Sequence, residues 1–122
     1  MKTLQIEQTE VTPLVILDAK NNVFELSGKS LPENVLKFYK PIFDWFDAYS
    51  KSPNSETKFV IKLKYFNTMS GKIMIELLFK LKEISKKGSN ISIIWYYDYN
   101  DMLYIGKEYS EIVGIPFKFK KY

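Results

Sequence analysis

Between residues 58 and 97 the hydrophobic pattern changes period twice. "KFVIKLKYF" (58–66) alternates, with Phe59, Ile61, Leu63 and Tyr65 on one side and Lys62 and Lys64 on the other. That is the two-residue repeat of a half-buried strand. "KIMIELLFKLKEISKKG" (72–88) then places Ile73, Met74, Leu77, Leu78, Leu81 and Ile84 at helical spacing on a heavily buried face. "NISIIWYYD" (90–98) is then apolar on both faces, the signature of a central strand covered on both sides. Two strands joined through a long helix pair in one sheet by a parallel crossover, which is right-handed almost without exception. This stretch therefore commits the chain to an α/β fold.

The flanks extend the pattern. "LQIEQ" (Leu4 to Gln8) reads as a short edge strand, and "LVILDAKNNVFELSG" as a hairpin turning at Lys20, Asn21 and Asn22, with Gly28 ending its return strand. In "SLPENV", Ser30 and Glu33 match a capping box with Pro32 in the first turn. The predicted helix buries Val35, Phe38, Tyr39, Ile42, Phe46 and Tyr49, and Pro41 predicts a kink or break in it. Leu36 and Phe43 fall off that face, as part of a wide core stripe or as a contact surface. "SKSPNSET" is a loop, Lys86, Lys87 and Gly88 suit a helix C-terminus, and a last helix over about Asp101–Val113 closes at Gly114 before the strand "IPFKFK". The predicted order is β-β-β-α-β-α-β-α-β, a mixed sheet with crossover helices in one domain over residues 1–122. No linker or repeat interrupts it.

Composition narrows the chemistry. The chain has no cysteine, which removes disulfides, thiolate zinc sites and cysteine nucleophiles. It has no histidine, so the usual metal ligand and neutral-pH base are missing. Its 18 basic residues are all lysine, so no guanidinium fork is present to clamp phosphate. A net charge of +4 spread along the chain fits a solvated surface better than a nucleic-acid interface. The first residues do not read as a signal peptide, and no run approaches the roughly 18 apolar residues of a membrane span. The expectation is a cytoplasmic protein without cofactor or metal.

No enzyme motif emerges. A Ser–His–Asp nucleophile is excluded without histidine. A Ser–Lys pair using Lys72 lacks any sign that this lysine is desolvated. "SGK" after a strand lacks the remaining frame of a phosphate-binding loop. The carboxylates fall at helix-face and cap spacings, and Glu76–Lys80 and Glu83–Lys87 read as i,i+4 pairs. The aromatics of "IWYYDY" fit core packing better than base stacking. What stands out is the turn "YFNTMSGK" (65–72), at a strand C-terminus where α/β folds commonly place their sites. Its plain reading makes Thr68 an N-cap that accepts from the amide of Ser70 or Gly71. Alternatively, Thr68 is phosphorylated: a phosphoryl group adds about −1.5 to −2 charges, and a helix N-terminus tolerates them.

Several segments bear on that choice together: Thr12–Pro13, "GKSLPEN" (28–34), "IFDWFDAY" (42–49), "YFNTMSGK" and "IIWYYDYND" (93–101). In this order and spacing they resemble the SiaC family of biofilm-regulating phosphoproteins, over roughly residues 10–119. The resemblance implies a STAS-like fold, of the anti-sigma factor antagonist type, without enzymatic activity. It further implies a threonine phosphorylated by a dedicated serine/threonine kinase and dephosphorylated by a PP2C-type phosphatase. The unmodified form is then expected to bind and activate a diguanylate cyclase, raising cyclic di-GMP. Asn67, Thr68 and Ser70 match the family's turn, so the resemblance puts the phosphosite at Thr68. Met69 departs from the small hydroxyl residue expected there. Asn67, Ser70, Gly71 and Lys72 are the expected turn and partner-docking residues, with Lys72 able to pair with the phosphate. Two other readings stay open: a small-molecule or nucleotide-binding module using the same crevice, and an interaction domain using Leu36 and Phe43.

Overall fold

The computed structural model describes residues 1–122. In chain order it contains β1 (Leu4–Ile6), β2 (Leu14–Asp18), β3 (Val23–Ser30), α1 (Val35–Tyr49), β4 (Glu56–Phe66), α2 (Thr68–Ser85), β5 (Asn90–Tyr97), α3 (Asn100–Val113) and β6 (Phe117–Lys121). The predicted order of elements is the observed one. The strands form one six-stranded sheet in the order β1-β2-β3-β4-β5-β6. β1, β2 and β3 pair antiparallel, and β3 through β6 pair parallel. The β2–β3 hairpin turns where expected, with Asn22 left-handed at φ 57° and Asp18 accepting from the Asn21 amide at 3.1 Å.

Each crossover moves one strand further in the same direction, so crossovers of one hand stack all three helices on one face. The core has that shape. Phe24, Leu26, Phe59, Ile61, Leu63, Ile93, Trp95 and Phe117 from alternate sheet positions join the buried faces of α1, α2 and α3 in a single cluster of 26 residues. This corrects the expectation that β5 is covered twice. Ile94 lies outside that cluster, laddered between Val60 and Lys118 on the helix-free face. There Lys62 Nζ lies 4.7 Å from the Tyr96 ring centre. Lysine stems of this kind shield apolar surface while their charges stay wet.

Local departures have physical causes. β3 runs on past Gly28 to Ser30, and α1 begins only at Val35 with Asn34 as its N-cap, accepting from the Lys37 amide at 3.1 Å. The expected Ser30–Glu33 capping box is therefore not formed. α1 continues without a break through Pro41, whose position is exposed, so the carbonyl it leaves unbonded is on the wet side. Tyr65 is 51% exposed rather than inward. The register jumps from Gly28↔Leu63 to Lys29↔Tyr65, so Lys64 is an extra residue, and such a slip reverses which face each later side chain takes. Phe66 turns inward in place of Tyr65 and packs on the core. Lys80 pairs with Asp47 of α1, and Glu83 with Lys86, in place of the two expected i,i+4 pairs. The α2 C-cap is Lys86, and Gly88 lies two residues beyond it at φ 101°. α3 ends on left-handed Gly114, as the sequence predicts.

Candidate functional site

β4 ends at Phe66 and α2 begins at Thr68, leaving Asn67 alone between strand and helix. Asparagine is among the strongest N-caps. The Asn67 backbone is extended, and its side-chain oxygen accepts from the Ser70 amide at 2.8 Å. This moves the cap one residue from its expected place: Asn67, not Thr68, caps α2. Thr68 is instead the first helical residue, exposed, and its hydroxyl has no protein partner among the hydrogen bonds.

The turn is fastened to the end of β3. The Ser30 carbonyl accepts from the Asn67 amide at 3.1 Å and from the Ser70 hydroxyl at 3.1 Å. Ser30 Oγ in turn donates to Ser70 Oγ at 2.9 Å and lies 2.7 Å from the Tyr39 hydroxyl. With the Ser30 proton given to Ser70, Tyr39 is the donor at the other end. The result is a one-way chain from Tyr39 through Ser30 and Ser70 to the Ser30 carbonyl, in which no buried polar atom lacks a partner. All three side chains are buried. Burial pushes the Tyr39 phenol up to about 12.

Gly71 is buried beneath α3. A Cβ there would lie 2.6 Å from Tyr109 Oη and 3.1 Å from Phe66 Cε2. The glycine is needed for this close approach. Tyr109, Phe66, Gly71, Lys72, Ile75, Ile105 and Glu108 line an open groove of about 370 Å³ beside Asn67 and Thr68. Lys72 is exposed and forms no ion pair. On the other side of the turn, Met69 is 49% exposed and shares a shallow depression with Pro32, Asn34 and Leu36. Leu36 and half-buried Phe43 line a further hollow over Tyr39 and Ile73, between α1 and α2.

The structure thus brings Asn67, Thr68, Ser70, Gly71 and Lys72 into one turn, but divides them. Thr68 and Lys72 face solvent, whereas Ser70 and Gly71 are interior. Sequence reasoning missed Ser30, Tyr39 and Tyr109 as the residues that hold the turn. Their only signal was placement: a serine at a strand end, and tyrosines among the apolar positions of neighbouring helices.

The first turn of α2 contains no acidic residue. Its first two amides, of Thr68 and Met69, have no protein acceptor, since Asn67 and Ser70 use theirs as described. Such an N-terminus favours added negative charge by roughly 0.3–1 kcal/mol. No group of His, Cys, Asp and Glu side chains could hold a metal ion, and no helix is long and apolar enough to cross a membrane.

Comparison with known proteins identifies the family and the fold. The pattern of the SiaC family regulatory phosphoprotein matches residues 6–122. An uncharacterized protein of Pseudomonas aeruginosa strain UCBPP-PA14 is 28% identical over 119 residues, covering 96% of this chain and 94% of that protein. The fold is similar to crystalline apo-SiaC from Pseudomonas aeruginosa, with a TM-score of 0.89, 28% identity and coverage of 98% of this chain and 99% of that one. It is also similar to a chain of the crystal structure of the diguanylate cyclase SiaD in complex with its activator SiaC, from the same organism. There the TM-score is 0.87 at 26% identity, again over 98% and 99% of the two chains. With its family pattern matched from Ile6 to the last residue and its six-stranded fold shared, the chain belongs to the SiaC family of regulatory phosphoproteins.

Proposed function

We propose that this chain is a non-enzymatic, cytoplasmic partner switch whose phosphoacceptor is Thr68. A cognate serine/threonine kinase adds the phosphate, and a PP2C-type phosphatase removes it. The bare form docks on and activates a diguanylate cyclase, and the phosphorylated form does not. One observation carries the reading: Thr68 presents a free, exposed hydroxyl at the start of α2, beside unbonded amides and with no carboxylate in the first turn. A phosphoryl group fits there without disturbing the core, and Lys72, one helical turn on, is placed to pair with it. The surface then gains about −1.5 to −2 charges beside exposed Met69 and Leu36, which opposes an apolar docking contact. The groove beside Thr68 is open rather than enclosed, so it would bury little of a small ligand, which supports the switch over a ligand-binding module.

The test is direct. With ATP and the cognate kinase, intact-mass measurement should show one added phosphate on the wild type and none on Thr68→Ala. Undiminished labelling of the alanine variant would place the acceptor elsewhere.

A further inference from the structure

The turn holds a second hydroxyl, Ser70, two residues from Thr68 and in the same helical turn. We propose that the buried Tyr39–Ser30–Ser70 hydroxyl chain decides which of the two is phosphorylated, withholding Ser70 and leaving Thr68 presented. The inference rests on the switch reading above and makes Ser30 and Tyr39 positioning residues that set the specificity of the site.

Phosphoryl transfer from ATP forms a bond from the hydroxyl oxygen to the γ-phosphorus. It breaks the bond from that phosphorus to ADP and passes the hydroxyl proton to a base on the kinase. An acceptor therefore needs an accessible lone pair and a proton free to leave. Ser70 offers neither. It is 0% exposed, its proton is given to the Ser30 carbonyl, and its oxygen accepts from Ser30 Oγ. Thr68 Oγ1 has both, being exposed and unbonded.

The chain is polar and directional, so its far end matters. Tyr39 donates to Ser30 Oγ, which leaves the Ser30 proton pointing at Ser70. Removing the phenol oxygen empties an acceptor position on Ser30 and lets its hydroxyl rotate away, loosening Ser70. The same Ser30 residue also binds the Asn67 amide. Two attachments on one strand end thus hold the cap residue and the withheld serine together, and Thr68 is turned outward between them.

Tyr39→Phe keeps the buried ring and deletes only the donor. Wild type, Tyr39→Phe, Ser30→Ala and Thr68→Ala, each co-expressed with the cognate kinase, can be mapped by tandem mass spectrometry. The expected result is phosphate on Thr68 alone in the wild type and none on Ser70 in Thr68→Ala. In Tyr39→Phe and Ser30→Ala, phosphate should appear on Ser70 at roughly tenfold or more above the wild-type background signal, the size of effect one lost buried hydrogen bond implies. A purely structural role changes total labelling but not the Ser70-to-Thr68 ratio. An unchanged ratio, or Ser70 labelled in the wild type, overturns the inference and leaves the switch intact. No label on Thr68 in any chain overturns the switch and the inference with it. Amide hydrogen exchange supplies an arm that needs no kinase. Asn67 and Ser70 amides should exchange roughly tenfold faster in Tyr39→Phe, with the Ile61 and Leu77 amides unmoved. Equal exchange at all four positions also overturns it.

Discussion

A Cβ on Gly71 meets the Tyr109 hydroxyl at 2.6 Å, so alanine there sets two effects against each other. Alanine gains about 1 kcal/mol of helix propensity over glycine, while overpacking a filled core costs about 1–3 kcal/mol. The second effect wins because Tyr109 is a buried, rigid ring held against Trp95 and Phe66. Urea denaturation should show Gly71→Ala less stable by about 1 kcal/mol, and Tyr109→Phe added to it should recover most of the loss. Failure of that rescue would place the strain at Phe66 instead. Tyr39 makes a second residue-level prediction, through pH. Its folded pKa of about 12 lies above the ordinary phenol value of about 10. Between those values the unfolded chain has released a proton that the native state keeps, so stability falls as pH rises through the interval. Below pH 10 the contribution is complete, and by pH 12 on the order of 2 kcal/mol is gone. Thermal melts from pH 8 to 12 should show a shallower decline for Tyr39→Phe than for wild type, the lysines being common to both. Parallel declines would mean that Tyr39 is not shielded as its burial implies.

At the level of elements, the two ends of the β4–α2 junction separate capping from signalling. Asn67→Ala removes the bond to the Ser70 amide and should cost about 0.5–2 kcal/mol, whereas Thr68→Ala should stay within about 0.5 kcal/mol of wild type. Chemical denaturation of the two variants side by side reads this difference. The reverse ranking would return the cap to Thr68. The sequence could not make that distinction, because asparagine and threonine are both good caps and adjacent candidates differ only in backbone angles. Elements themselves were legible where the period was unambiguous: β4, α2 and the hairpin follow directly from spacing. They were illegible where a single residue changes the register. The Lys64 bulge inverts Tyr65 and Phe66 with no warning in an otherwise regular alternation. Ser30 shows the same limit from another side. A serine three residues before a glutamate satisfies a capping rule, yet its hydroxyl lies in a buried chain reaching across three elements. Partners distant in sequence leave no local spacing to read.

For the molecule as a whole, the stacking of three helices on one face concentrates the features of the proposed switch. The parallel strands β3 to β6 all run toward the end where α1 and α2 begin, so Thr68, Met69 and Leu36 come together there. The α/β class followed from the change of period, and the absence of histidine and cysteine removed most catalytic readings of the turn. The switch reading at Thr68 came from resemblance, since spacing alone gave only a cap. Its physical support is the exposure of Thr68 and the unbonded amides around it. Aspartate at this position imitates the charge in part and suits a helix N-terminus. Thr68→Asp should therefore keep the wild-type far-UV spectrum and melting temperature while weakening partner binding at least tenfold; a large loss of stability would indicate a structural role instead. The most direct measurement compares cyclic di-GMP production by a diguanylate cyclase, the proposed partner, with added bare chain or with the chain stoichiometrically phosphorylated on Thr68. The account predicts that the bare chain raises the rate and the phosphorylated chain leaves it near basal. Equal activation by both forms would contradict it.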